Sequence, residues 1–533
     1  MEHLPIIILL SLAVLGIIAL RFYLRYKKTK PTQEIIQGEE SEEASIKDSQ
    51  KRRKTDDHFL WGNHYLNDED ASLSFLAVGS PGSGKTLNIL ILLRTVIERM
   101  NVEGSNVRGL IYDSKSDLYP KLRSLGLSDE QIVILNPFDE RRVAWDIAKD
   151  ITDPKQAEEL AKILIPSGGG EKDPYFTNTA RRLLAGVITA FQYKNKGEWT
   201  LRDLLLAARS EDSLFSVLQS CKYTKDLESH FKNEKTFESV RSTLDSNLDP
   251  LKTIAASWEH SSSSITINDW FDTQKMFVMG NDPDGEEPVK RINQLFFSFV
   301  SKRILGRDGG GRAKHWIILD ELRELGKLNL LTKTMVTGRS QGASVVLGFQ
   351  DLQGIFDEYG RTTAFEIIGC AQNVLLLKAS PTATEQQEWQ SKVAGSLRYK
   401  ERKVSHTFSK EGEGSMNVSE QTQTDSYFIP SYFARIPKVS ESSGLHGVGF
   451  VKDKLFSWEI TGKHLWDELN GNPPNPRSIP IEDSSHSKII PVPYKEQLLE
   501  PLSSEDMERL GIANKEQHKE EETEKPTLNT RDI

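Results

Sequence analysis

The chain has 533 residues, of which 37% are hydrophobic and 27% charged, and its net charge at pH 7 is -9. That length implies two to four domains, and the acidic balance excludes a globally basic nucleic-acid-coating protein, so any DNA contact must come from a local patch or an assembled ring. Two cysteines, Cys221 and Cys370, without a C-x-x-C pair, exclude a disulfide framework or a zinc ribbon and suit a reducing compartment.

The first element is an apolar run, Leu4 to Leu20, without a charge. With Phe22, Tyr23 and Leu24 it offers roughly 20 residues, enough to span a hydrocarbon core of ~30 Å at ~1.5 Å per residue. It has no basic segment ahead of it and no small-residue cleavage site behind it, so it is not read as a cleaved leader. Arg21, Arg25, Lys27, Lys28 and Lys30 follow at once, and basic residues stay on the cytoplasmic side. The expectation is one membrane helix within residues 1–24, with the bulk of the chain in the cytoplasm. Residues 25–57 are polar and charged and read as a flexible tether.

From 58 to 480 strand-like and helix-like segments alternate, as in an α/β domain. Leu73 to Val78 reads as a buried strand and Leu87 to Met100 as a helix. Between them stands Gly79-Ser80-Pro81-Gly82-Ser83-Gly84-Lys85-Thr86, a G-x-x-x-x-G-K-[ST] loop. A strand that breaks into a Gly-rich turn and then a helix aims backbone N–H groups at one point, which binds phosphate. Lys85 then reaches the β- and γ-phosphates, and the Thr86 hydroxyl ligates Mg²⁺. The expected ligands are ATP and Mg²⁺. Further strands are expected at 109–112, 131–135, 275–279, 316–319, 344–348 and 373–377. Asp113 and Asp117 follow the first of these, placed either near the site or as helix-capping residues.

The expected boundaries divide the nucleotide-binding domain into 58–172 and 263–480, around an all-helical insertion at 173–262. The second part carries the acidic motif. His315-Trp316-Ile317-Ile318-Leu319 closes on Asp320 and Glu321. A buried strand ending in two acids delivers both to the sheet edge where the phosphate loop opens. Asp320 is expected to hold Mg²⁺, and Glu321 to polarise the attacking water. Gln350 ends the next strand and reads as a γ-phosphate sensor. Arg339 follows the intervening helix. It is either an arginine finger reaching a neighbouring subunit's site or a cation stabilising a helix C-terminus. Leu397 to Phe428 reads as an added hairpin turning at 410–415. Residues 481–533 form an acidic tail, expected to be largely disordered.

Taken in order, GSPGSGKT at 79–86, LIYDSKSDLY at 110–119, ILNPFDERRVAWDI at 134–147, DPYFTNTARRLL at 173–184, WIILDELRELGKL at 316–328, GRSQGASVVLGFQDLQGIFDEYG at 338–360 and NVLLLKAS at 373–380 resemble the type IV secretion coupling proteins, the TraD/TrwB-type ATPases of conjugation. The resemblance spans roughly 58–480. It implies a RecA-like α/β nucleotide-binding domain with an all-α insertion, assembled as a homo-hexameric ring at the bacterial inner membrane. It also implies an ATP-driven motor that receives a relaxase–single-stranded DNA complex with its accessory DNA-processing proteins and passes it to the channel subunits. Lys85, Thr86, Asp320, Glu321, Gln350 and Arg339 take the corresponding roles. Many relatives have two membrane helices where one is expected here, which leaves open a separate membrane partner. The competing reading is a receptor that sorts protein effectors without translocating DNA.

Overall fold

The computed structural model describes residues 58–512, apart from 167–173, 232–233, 284, 311, 409–413, 452–453, 464, 466–468 and 470–489, together with residue 20 and the strand backbones 33–37 and 42–45. The Leu4 to Leu20 run, its last residue apart, and residues 513–533 lie outside this set. Among the described residues no helix is long and apolar enough to cross a membrane.

The core is a ten-stranded sheet. Its strands in chain order are β1 (Glu42–Ser45), β2 (Phe75–Val78), β3 (Arg108–Asp113), β4 (Ile132–Ile134), β5 (Met276–Gly280), β6 (His315–Leu319), β7 (Ala343–Phe349), β8 (Asn373–Leu376), β9 (Leu445–Val451) and β10 (Lys454–Ile460). Their spatial order is β1-β10-β9-β8-β2-β7-β6-β3-β5-β4. From β8 to β4 all neighbours run parallel. β9 and β10 add antiparallel at one edge. The parallel strands are short apolar runs without alternation because both faces are covered. Along β2, Leu76 and Val78 join one core cluster, and Phe75 and Ala77 the other. This is the two-residue period of a strand.

The second face is covered by α1 (Lys85–Met100), whose Ile89, Leu92, Leu93, Val96 and Ile97 are buried. The first face is covered by the helices between β4 and β5. These include α2 (Pro154–Leu164), α3 (Tyr175–Lys194), α4 (Leu201–Ala207), α5 (Glu211–Gln219), α6 (Glu234–Leu248) and α7 (Lys252–Glu259). Their starts are written locally. Asp153 accepts from the backbone N–H of Lys155 and Gln156, the Gln156 side chain returns to the Asp153 N–H, and Pro154 occupies the first turn. That is a capping box with a pre-set φ. The helical layer thus begins at 147–164, upstream of the expected boundary at 173. Gln192 donates to the Ala148 carbonyl and Arg181 to the Ile165 carbonyl, tying α3 to this earlier segment. The chain enters and leaves the layer side by side, with Ala144 and Trp145 pairing parallel to Ser264 and Ile265. The helices share a continuous apolar cluster with the sheet face, so the insertion is part of the core.

The described residues contain two further departures from expectation. The segment expected as a free tether contributes backbone to two sheets. β1 pairs with β10, and Gln33–Gln37 pairs with Ser396–Phe408. That second strand forms the expected hairpin with Gly414–Ser426. Residues 490–512, expected at the start of a disordered tail, form a strap on the helical layer. Leu510 and Ile512 are buried. Arg509 pairs with Asp203 at 3.0 Å, and Asp506 with Arg202 at 3.1 Å. Arg142 reaches Glu496 at 3.2 Å. Apolar residues recur through this stretch, and three arginine–carboxylate pairs hold it in place.

Candidate nucleotide site

β2 delivers Gly79 at the carboxyl edge of the sheet, and α1 starts at Lys85. Gly82 and Gly84 take positive φ, 75° and 95°, where L side chains are strained. At Gly84 space forbids a side chain as well, since a Cβ would lie 2.1 Å from Leu445 Cδ1. The loop is braced from β8's continuation. The Ser80 N–H and hydroxyl both donate to the Lys378 carbonyl, at 2.8 and 3.0 Å. Lys378 in turn donates its ammonium to the Ala434 and Ile436 carbonyls, each at 2.6 Å. Asn373–Leu376 is the strand expected from its apolar run, and the role of the following Lys378 as a brace is visible only in the fold. Pro81 and Gly82 are exposed at the loop tip.

The loop and the acidic strand meet. The Thr86 hydroxyl donates to Asp320 Oδ2 at 2.6 Å, across 234 residues of sequence. Buried Lys85 donates to the Gly79 carbonyl at 2.8 Å. Burial lowers its pKa from the ordinary value, opposed by the Glu321 and Asp320 charges. Glu321 is buried, and Gln350 donates to its Oε1 at 2.8 Å. Burial raises the Glu321 pKa, opposed by the Gln350 hydrogen bond and by Lys85. Gly348 makes room for this corner, because a Cβ there would meet the Asp320 carbonyl oxygen at 2.3 Å and Asp320 Oδ1 at 2.7 Å.

The residues present fit a phosphate and a divalent cation. Asp320 Oδ1 and Ser83 Oγ are buried without a hydrogen-bond partner, a costly state that a ligand relieves. A hydroxyl and a carboxylate are hard oxygen donors, the set that Mg²⁺ takes when substrate phosphates and water complete its shell. Among the described residues no group of three or more His, Cys, Asp or Glu could hold a metal by itself, so the phosphates would be needed.

Lys85, Thr86, Asp320, Glu321 and Gln350 therefore converge, with residues 79–84 around them. Arg339 does not join them. It lies in the 3-10 turn Gly338–Gln341 ahead of β7, and its Nε donates to Ser72 Oγ at 3.3 Å. β7 has seven residues, which puts its two ends roughly 20 Å apart at ~3.3 Å per residue. Arg339 is thus at the opposite sheet edge from its own chain's phosphate loop. Asp113 is both near the site and a capping group: its carboxylate accepts from the Leu118 and Asp117 N–H at 2.8 and 3.2 Å, Asp117 pairs with Lys121 at 2.6 Å, and both acids line the cavity of Thr86 and Asp320. Two neighbours of the site were missed from sequence, Lys115 and Glu324. Lys115 lines a cavity of about 270 Å³ together with Thr86 and Asp320. Glu324 lines a polar cavity of about 400 Å³ with Glu321 and Gln350. The only signal for Glu324 was its place one turn after the acidic pair.

Comparison with known proteins agrees with this architecture. Residues 66–445 match the family model described as the type IV secretion-system coupling protein DNA-binding domain. The coupling protein TraD of Escherichia coli (strain K12) is 26% identical over 299 residues, covering 55% of this chain and 40% of TraD, so the match spans less than half of that relative. Among solved structures, the plasmid coupling protein TrwB in complex with ADP and Mg²⁺ superposes with a TM-score of 0.62 at 16% identity, covering 80% of this chain and 93% of that one. TrwB in complex with the non-hydrolysable GTP analogue GDPNP gives 0.62 at 18% identity, covering 81% and 95%. At these identities the structural likeness speaks to fold. The family model covers well over half of the chain and decides its membership: this chain belongs to the type IV secretion-system coupling proteins.

Proposed function

We propose that this chain is a membrane-anchored ATPase that couples a relaxase–single-stranded DNA complex to a type IV secretion channel and drives DNA transfer in conjugation. The observation that carries the enzymatic part is the 2.6 Å hydrogen bond between Thr86 and Asp320. It joins the phosphate loop to the acidic strand and leaves one carboxylate oxygen unpartnered.

When bound, Mg²⁺ would supply positive charge that offsets the negative charge of the phosphates. Thr86 and Asp320 are the residues to hold it. Residues 79–84 cradle the phosphates through backbone N–H groups, and Lys85 exchanges its Gly79 contact for phosphate oxygen. Glu321, held by Gln350, orients a water and accepts its proton. Its raised pKa makes it a better base than an ordinary carboxylate. Catalysis here is positioning and charge stabilisation. Arg339 is the trans-acting finger of a homo-hexameric ring in this reading, which its distance from its own chain's phosphate loop supports. DNA is gripped through phosphates by ring-lining Lys and Arg, so binding is salt-sensitive and nearly independent of sequence. The Leu4 to Leu20 segment is the single-pass anchor in the inner membrane, and the acidic tail recruits DNA-processing partners.

The test is ATPase activity of the full chain in detergent, with and without single-stranded DNA, beside conjugative transfer in cells. Lys85→Ala and Glu321→Gln are expected to abolish both activities while the protein still inserts in the membrane. Normal transfer by either variant sinks the reading. ATPase activity indifferent to DNA moves the assignment to a receptor for protein effectors.

A further inference from the structure

Lys115 stands at the sheet rim beside the acidic pair. β3 lies parallel to β6 with Tyr112 opposite Leu319, which sets Asp113 abreast of Asp320 and Lys115 just beyond on the same edge. The turn that carries it is fixed on every side. Ser116 holds φ 56°, a conformation uncommon for a residue with a side chain. Its hydroxyl donates to the Asn281 carbonyl at 3.1 Å. Asp113 caps the turn from below, and Ser114 hydrogen-bonds to Glu324. The Lys115 side chain is exposed and, among the described residues, makes no hydrogen bond or ion pair.

An unpartnered surface lysine is ordinarily a solvated side chain. Three features set this one apart. Non-glycine residues in left-handed backbone cluster where a function repays the strain. The side chain lines the same cavity as Thr86 and Asp320. Its charge reaches Lys85, Glu321 and Glu324, partly opposing the rise that burial gives the two carboxyls and adding to the fall that burial gives Lys85. Of the two lysines lining the cavity of Thr86 and Asp320, Lys121 is paired with Asp117 and Lys115 has no such pair among the described residues, while Lys290 and Arg323 line the adjoining cavity of Glu321 and Glu324. A triphosphate brought there adds further negative charge at its outer end.

We propose that Lys115 is a second cationic contact for the terminal phosphate of a bound nucleoside triphosphate, supplied by the same chain from the side opposite Lys85. The proposal rests on the ATPase reading above. In the hydrolytic step the water oxygen forms a bond to the γ-phosphorus and its proton passes to Glu321. The bond from that phosphorus to the β–γ bridging oxygen breaks with its electron pair leaving on the diphosphate. Charge spreads over the γ-oxygens as this happens, and Lys115 offsets it. The diphosphate product lacks the group that Lys115 touches, so the residue also separates the triphosphate from the diphosphate state.

The experiment uses the full chain in detergent with Lys115→Ala and Lys115→Arg. It measures kcat, KM, and the affinities for ADP and for ATPγS. Lys115→Ala is expected to lower kcat by about 10²-fold and to weaken ATPγS about tenfold, with ADP affinity within about twofold of the parent chain. Lys115→Arg is expected to restore most of the loss because the charge is kept. Equal weakening of ADP and ATPγS means that Lys115 only supports the fold, and overturns the proposal. Parental kcat and ATPγS affinity in Lys115→Ala overturn it alone, leaving the ATPase reading intact. Absence of hydrolysis in the parent chain overturns both.

Discussion

Gly348→Ala tests whether the metal corner depends on a strand position that touches no ligand. The added Cβ would lie 2.3 Å from the Asp320 carbonyl oxygen and 2.7 Å from its Oδ1, where ordinary contact begins near 3.4 Å. Both contacts are with the neighbouring strand's end, so β6 and β7 must part, or Asp320 must move, by about 1 Å in a close-packed interior. Overpacking of this kind costs ~1–3 kcal/mol of stability, which a protein of this size survives. The local effect is larger, because ~1 Å of misplacement in a positioned group costs on the order of 10² in rate. The Thr86–Asp320 hydrogen bond of 2.6 Å has no slack to absorb it. The assay is steady-state ATPase activity across Mg²⁺ concentration, with a thermal melt of the same sample. Gly348→Ala is expected to fold, to lose about 10² in kcat, and to need more Mg²⁺ for half-maximal rate. A folded variant with the parent's kcat and Mg²⁺ dependence refutes the assignment of Asp320.

Three further outcomes are expected. Glu321 acts in its ionised form and burial raises its pKa above the ordinary 4.5, so the acid limb of kcat/KM, which reports the free protein, falls above that value. Activity is lost as pH drops through the raised pKa, and a limb at or below 4.5 in a pH–rate profile removes Glu321 as the base. Arg339→Ala is expected to cost on the order of 10³ in ATPase rate with unchanged nucleotide affinity, with the parent's rate per chain rising with protein concentration; full activity in the variant ends the finger reading. Leu510→Ala opens a cavity under the strap and is expected to cost ~2–5 kcal/mol locally. Faster amide exchange across Ser504–Leu510 than in α3 checks it, and unchanged exchange shows that the ion pairs alone hold the strap.

The phosphate loop and the Asp320–Glu321 pair were legible because each motif needs a strand end, and the flanking apolar runs are strands in the structure. Gln350 was legible for the same reason. Arg339 was legible as a residue type but not as a place. Its position depends on which end of β7 it precedes, and sequence spacing does not report strand direction relative to the site. Asp113 could be read two ways, and both hold, since it accepts from Leu118 and Asp117 while lining the cavity of Thr86 and Asp320. The upstream edge of the helical layer was obscured because residues 147–164 match the composition of the preceding α/β segment. The strap was obscured because the charged residues of 513–533 dominate the composition of the tail as a whole. What holds it is pairing with Arg202 and Asp203, about three hundred residues away, a separation that local periodicity cannot reveal.

The strap changes the mechanics of the molecule. Entry and exit of the helical layer lie side by side at Ala144–Trp145 and Ser264–Ile265, so the backbone joins lobe and sheet along one line, and every other tie between them is non-covalent. The strap is fastened to the lobe through Arg202, Asp203 and Asn195, and to the sheet side through Phe138 and Glu140. That second mount adds a further tie between lobe and sheet beside the two crossings and the apolar cluster they share. The loop carrying Phe138 is itself anchored by Asn136 to Asn281, the residue whose carbonyl also receives Ser116. A displacement at the nucleotide rim thus has a stiff route outward, and the lobe follows the sheet as a lever follows its shaft.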